Sequence, residues 1–288
     1  MDLYDDLLRG VRGDSAIFDR SVLAPPWEMS FAEGSSLTLC SPLRGTARLT
    51  RGDDTRVIQV GETAIMRGPE PFTAGGEPGG DEETVLLVGT YRLRGELPRR
   101  LLSVLPPALV VPDQHGCAAM RDFLEAQLTD GRPGRQIVLD RLLDWLLVCT
   151  LRDWFDLEDG NRPGWYRALS DEIAGPVLRA MHAAPEQAWT LASLAAEAGV
   201  SRTTLAKHFT ETVGRPPMAY LTDWRMARAA DLLAGAHETT VATVARRVGY
   251  ADAFGFSSAF KRVLGVSPSE YRRLNADPVD GEARLLDR

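Results

Sequence analysis

Over the first 112 residues, apolar positions come in short runs (36–43, 55–60, 63–66 and 84–91) separated by clusters of Gly, Pro and Asp. Runs of this length bounded by turn formers predict β-strands, and their even spacing predicts a sandwich or small barrel. Residues 69–80 are too rich in Pro and Gly for any helix and predict a long loop. Near His115 the period lengthens. Met120, Phe123, Leu124 and Leu128 fall at helical spacing, and Gly131-Arg132-Pro133-Gly134 breaks the run. A longer helix follows from Ile137 to about Phe155, with Leu139, Leu142, Leu143, Leu146 and Leu147 on one broad face. That face must be covered, either by the barrel or by a second copy of the chain. Asp159 to Gly164 predicts a linker, and residues 165–182 a helix with its weak point at Gly175-Pro176.

The remaining hundred residues repeat themselves. Ala195 and Gly199 recur as Ala245 and Gly249, fifty positions on. Phe209, Gly214, Pro217 and Tyr220 recur as Phe260, Gly265, Pro268 and Tyr271, fifty-one positions on. Each copy predicts a short amphipathic helix, a glycine turn, a second helix and a Gly-x-x-Pro-x-x-Tyr stop, which is a helix-turn-helix. Thr190 and Ser201 are the expected N-caps in the first copy, Thr240 and Asp252 in the second. Residues 223–234 predict a joining helix with Trp224, Met226, Ala227, Ala230 and Leu233 inward. If that helix is rigid, the two second helices lie one DNA turn apart, roughly 34 Å.

The helical period then sorts fold residues from functional ones. On the first recognition helix Leu205, Phe209 and Val213 point inward, leaving Arg202, Thr203, Ala206 and Lys207 outward, with His208 a further candidate contact. On the second, Phe256, Phe260 and Val263 point inward, and Ala253, Phe254, Ser257, Ser258, Lys261 and Arg262 form the DNA-binding set. Small residues early on a helix allow approach to base edges, whereas late cations lie nearer phosphates. Sequence choice is therefore expected from the first unit and mainly grip from the second.

These residues carry a family resemblance. Trp189-Thr190-Leu191, Gly199-Val200-Ser201, Pro217-Met218-Ala219-Tyr220, Arg225-Met226, Gly249-Tyr250, Phe256-Ser257-x-Ala259-Phe260-Lys261-Arg262 and Gly265-Val266-Ser267-Pro268-x-x-Tyr271-Arg272 resemble the AraC/XylS transcription regulators. The chain departs from the pattern at Ser258, where arginine is frequent, and at Ala253, where a polar residue is frequent. The front of the chain resembles the cupin-type sensor domain of one subgroup, through Ala24-Pro25-Pro26-Trp27, the strand pairs around Gly45 and Gly61, and Leu105-Pro106-Pro107. The resemblance implies a two-domain α+β protein. Residues 1–160 would form a cupin-like β-barrel with appended helices for effector binding and dimerisation, and 161–182 a linker and connecting helix. Residues 183–275 would form an all-α domain of two helix-turn-helix units joined by a helix, followed by a polar tail over 276–288.

Charge fits that division. The chain carries a formal −7, yet residues 187–275 hold eleven Lys/Arg against seven Asp/Glu, a net +4 that leaves −11 for the rest. An acidic N-terminus and the absence of any long apolar run predict a cytoplasmic protein without a membrane span. The expected partners are promoter or operator DNA, a small-molecule effector, a second copy of the chain, and RNA polymerase as a further candidate.

No cofactor or catalytic metal is expected, and no enzymatic activity. A cupin metal site needs converging imidazoles, and of His115, His182, His208 and His237 only His115 lies near the strands. That argues against the remote alternative, a cupin enzyme tethered to DNA by its tail. Trp27, Met29, Phe31, Cys40 and Met66 are the candidate effector-pocket residues, with core packing as the simpler role for each. Glu28, Glu33 and Glu62 would favour a cationic ligand, or else are exposed strand-edge carboxylates. A cysteine-based redox sensor is the alternative regulator. Cys117, at a predicted helix start, leads Cys40 as the candidate thiol.

Overall fold

The computed structural model describes residues 13–17, 22–31, 35–77, 82–93, 95–114, 122–125, 127, 133–157, 163–235 and 239–275. The chain divides into two compact units that part at Pro163, with Gly95–Leu97 grouped with the second.

The first unit is built on two antiparallel sheets. Its strands are β1 (Gly13–Ile17), β2 (Val22–Leu23), β3 (Glu28–Phe31), β4 (Leu37–Arg44), β5 (Thr46–Arg51), β6 (Asp54–Gln59), β7 (Glu62–Arg67), β8 (Phe72–Gly75), β9 (Thr84–Tyr91) and β10 (Ala108–Pro112). Helix α1 (Glu96–Val104) precedes β10, and α2 (Arg135–Asp156) follows it. One sheet runs β1-β9-β4-β7-β10 with β2 also on β9; the other runs β3-β8-β5-β6. Strand alternation decides what each sheet covers. Cys40 pairs with Val88 and Ala64, and all three point into the core between the sheets. Leu39, opposite Gly89 and Ile65, points the other way.

Helix α2 lies on that outer face. It packs on β1 and β10, and a Cβ added at Gly89 would fall 3.1 Å from both Leu143 methyls. Leu139, Leu143, Leu146, Leu147 and Leu151 are buried there. The leucine-rich face is thus covered within the chain. What α2 leaves exposed is a different flank, with Ile137, Val138 and Trp145.

The second unit contains α3 (Gly164–Leu169), α4 (Ala174–Ala183), α5 (Leu191–Glu197), α6 (Arg202–Val213), α7 (Pro217–Gly235), α8 (Val241–Arg247), α9 (Ala253–Leu264) and α10 (Pro268–Asn275). Where one helix is expected over 165–182 there are two. Asp171 breaks the run, its Oδ1 accepting the N–H groups of Ile173 and Ala174 at 2.9 and 2.7 Å. Pro176 falls in the first turn of α4, where no intrahelical partner is needed for its missing N–H. Nor are α3 and α4 merely connecting segments. Ala168, Val177, Leu178 and Met181 share a core with Trp189, Leu194, Leu205, Phe209 and Leu221. A second core gathers Met226, Ala230, Leu233, Val244, Phe256, Phe260 and Tyr271. Helix α7 supplies Leu221 to the first and Met226 onward to the second.

The repeat is physical as well as textual. Phe209 and Tyr220 meet edge to face at 5.8 Å and 73°; Phe260 and Tyr271 meet at 5.6 Å and 81°. Each recurring Phe–Tyr pair is one tilted ring contact at the base of its unit. Among the described residues, no helix is long and apolar enough to cross a membrane.

Candidate nucleic-acid interface

Both recognition helices begin at a side-chain cap. The Ser201 hydroxyl accepts the Thr204 N–H at 3.1 Å, and the Asp252 carboxylate accepts the Gly255 N–H at 2.7 Å. Thr190 and Thr240 cap the preceding helices in the same way. Each cap stabilises its helix by about 1 kcal/mol and fixes where the helix starts, hence which face is outward. On α6, Leu205 and Phe209 are fully buried while Arg202, Thr203 and Lys207 are exposed and Ala206 is half-buried. On α9, Phe256 and Phe260 are buried, and Phe254, Ser258, Lys261 and Arg262 are exposed. Phe254 is 83% exposed, an unusual state for a phenylalanine. Ala253 and Ser257 are half-buried, and the Ser257 hydroxyl donates to the Ala253 carbonyl at 2.7 Å.

His208 is differently engaged. Its Nε2 lies 2.9 Å from both Asp171 carboxylate oxygens, so it ties α6 to the α3–α4 junction rather than extending the outward face. Burial works to raise the Asp171 pKa, but the Ala174 N–H, the His208 ring and the Ile173 N–H outweigh it and hold the carboxyl below its ordinary value. Asp171 therefore caps one helix and anchors another. A carboxylate three residues before the helix start was the sequence signal for it.

The two helix-turn-helix copies are also tied across α7. Arg225 donates through Nε to the Pro185 carbonyl and through Nη2 to the Gln187 carbonyl, both at 2.7 Å. The same guanidinium lies 5.9 Å from the Tyr250 ring centroid. It thus joins the approach to the first helix-turn-helix with the turn of the second. A lone arginine among Trp224, Met226 and Ala227 marks it in the sequence.

In the barrel, Phe31, Cys40 and Met66 are buried core residues, with Trp27 and Met29 packed against them. The Phe31 and Phe72 rings stack at 4.6 Å. These side chains belong to the core cluster between the sheets. Cys40 is fully buried, and burial pushes its thiol up to about 12, the reverse of the lowered pKa and exposure that thiol sensing needs. Cys117 and Glu33 lie outside the described residues. Glu28 is exposed, and Glu62 accepts the Gln59 N–H at 3.0 Å, so both serve at strand edges. Among the described residues, no three His, Cys, Asp or Glu side chains converge as metal ligands.

Two capped helices on a shared supporting helix, in a chain that also carries a two-sheet β-rich unit, define a class of DNA-binding regulator. A cupin profile matches residues 2–156 and a helix-turn-helix domain profile matches 194–274. The chain belongs to the AraC/XylS-type transcription regulators with a cupin N-terminal domain. It is similar to an AraC-like transcription regulator of Streptomyces lividans, 29% identical over 300 residues covering 95% of this chain and 98% of the relative. It is also similar to the RCS-specific HTH-type transcriptional activator RclR of Escherichia coli, 31% identical over 199 residues covering 67% and 69%. Among solved structures, the C-terminal domain of AraT from Geobacillus stearothermophilus matches with 31% identity and a TM-score of 0.37. That match covers 40% of this chain and 97% of that one.

Proposed function

We propose that this regulator reads a specific promoter sequence through α6 and α9, responds to a small-molecule effector through its barrel domain, and works in the cytoplasm as a homodimer. The observation that carries the DNA reading is the pair of outward faces: polar and cationic side chains on α6 and α9, each helix seated on its own buried core. Arg202, Thr203, Ala206 and Lys207 are assigned to base and phosphate contacts in one stretch of major groove. On α9, Lys261 and Arg262 grip phosphates, and Phe254 offers an apolar ring of the kind that packs on a thymine methyl. RNA polymerase is the expected downstream contact. The chain acts by binding, and no catalytic step is assigned to the barrel.

Lys207→Ala is expected to weaken specific binding about tenfold, whereas Lys261→Ala should weaken specific and non-specific DNA alike and flatten the salt dependence by about one unit of slope. Gel-shift titrations at several salt concentrations separate the two effects. Unchanged specific affinity in Lys207→Ala would remove Lys207 from the DNA contacts.

Dimerisation is assigned to the barrel unit, where Ile137, Val138 and Trp145 of α2 are exposed. Removing residues 1–160 retains α3 and α4, which the helical core requires, and should leave a monomer by light scattering. A dimeric fragment would move the contact to the helical unit.

A further inference from the structure

An open groove of about 330 Å³ lies outside the barrel core, on the surface of the first unit. It is lined by Arg51 at the end of β5, Arg67 at the end of β7, Glu70 in the following turn, Arg99 and Leu102 of α1, and Pro107. Three guanidinium groups face one carboxylate, so the lining is cationic. Its volume is within the range of small-ligand sites.

Arg51 gives this groove a direction. Its Nη1 donates to the Pro107 carbonyl at 2.7 Å, and its guanidinium carbon lies 5.9 Å from the Phe72 ring centroid. Those contacts fix the plane of the group. Its Nε and Nη2 atoms are buried and have no hydrogen-bond partner. These two N–H donors lie on one edge of the guanidinium, the edge that receives a carboxylate or phosphate as a two-pronged acceptor. Leaving a charged donor edge buried and unpaired is costly. Glu70 offsets part of the charge without accepting from either atom. Burial, the largest influence, lowers the Arg51 pKa; Glu70 and, more weakly, Asp54 oppose the shift, and neighbouring Arg67 adds to it.

Arg67 is itself held in place, donating through Nη1 to the Leu102 and Leu105 carbonyls at 3.0 and 2.6 Å. It therefore contributes a fixed positive charge to the groove. Arg99 is exposed at the rim, free to swing toward a bound anion.

We propose that this groove is a binding site for a small anionic molecule held by the charges of Arg51, Arg67 and Arg99, whose carboxylate or phosphate oxygens reach the Nε–Nη2 edge of Arg51 by a small shift of that side chain that uncovers it. Its use as an effector site rests on the regulatory function proposed above; its binding chemistry does not. The site is cationic and superficial, unlike the apolar barrel interior in which the sequence places the effector.

The test is calorimetric titration of the full chain, without DNA and at constant ionic strength, with inorganic phosphate, with succinate, and with choline as a cationic control. Saturable one-to-one binding of phosphate or succinate, with none of choline, is expected. Phosphate alone would assign the site to phosphate compounds, succinate alone to organic acids, and either supports it. Arg51→Met should weaken that binding at least about tenfold. Arg99→Gln, at an exposed position that folding does not need, should weaken binding several-fold. Failure of both anions to bind saturably, or equal binding by wild type and Arg51→Met, overturns the proposal. If Arg51→Met fails to fold, unchanged affinity in Arg99→Gln overturns it instead. Promoter titrations with and without the bound anion then test the regulatory consequence separately.

Discussion

Replacing Gly249 with alanine is expected to destabilise the helical unit by about 3–4 kcal/mol, whereas the same change at Gly199 costs only about 1–2 kcal/mol. The two glycines occupy matching places in the repeat and both have positive φ, 82° and 65°. At Gly199 an added methyl group meets open space, so only the backbone preference opposes it. At Gly249 the methyl would lie 2.7 Å from Arg225 Nη2 and 2.9 Å from the Glu186 carbonyl oxygen. Arg225 would have to withdraw, loosening its bonds to the Pro185 and Gln187 carbonyls. A charged hydrogen bond of that kind contributes about 1.5–3 kcal/mol. Denaturant unfolding of the two variants measures the difference. Equal losses would mean that Arg225 does not couple the units.

Acidification supplies the second large effect. His182 is buried, hydrogen-bonded through Nε2 to the Tyr220 hydroxyl at 2.9 Å, and in contact with the Trp224 ring at 4.3 Å between centroids. Burial, and secondarily the charge of Arg228, push its pKa from 6.5 down to about 3. The folded protein therefore holds this imidazole neutral, while the unfolded chain takes up a proton as pH falls below 6.5. Stability from this group is complete above the unfolded value and declines as pH falls toward the folded one. Between about pH 7 and about pH 5 the loss is about 2 kcal/mol. His182→Gln should be less stable at neutral pH, since the site is shaped for a ring, yet lack that part of the acid dependence. If urea unfolding gives wild type and variant parallel pH profiles, His182 is not the group responsible.

Much of this was legible in the sequence because it rests on local rules. The four caps, the glycine turns and the inward faces of α6 and α9 follow from residue type and a period of 3.6, and the structure has each of them. The four runs expected at 36–43, 55–60, 63–66 and 84–91 each fall on a strand, but β8 (Phe72–Gly75) lies inside the loop expected over 69–80, because its partners β3 and β5 come from elsewhere in the chain; the alternation that sends Cys40 inward and Leu39 toward α2 likewise required pairing partners to see. What stayed hidden depends on chain segments far apart in sequence. His208 sits on a recognition helix, but its orientation is decided by Asp171, thirty-seven residues earlier. The leucine face of α2 could have paired two molecules; sheet β1-β9-β4-β7-β10 offered a complementary surface first. The arginine groove was hidden for the same reason, since Arg51, Arg67 and Arg99 belong to three elements.

Helix α7 gives the duplicated domain a property that neither copy has alone. Its first half completes one core and its second half the other, with no break between Pro217 and Gly235. Fraying either helix-turn-helix exposes one end of a helix whose other end remains needed elsewhere. The two copies are thus expected to melt together as one cooperative body, so damage to one recognition helix will be felt as lost order in the other.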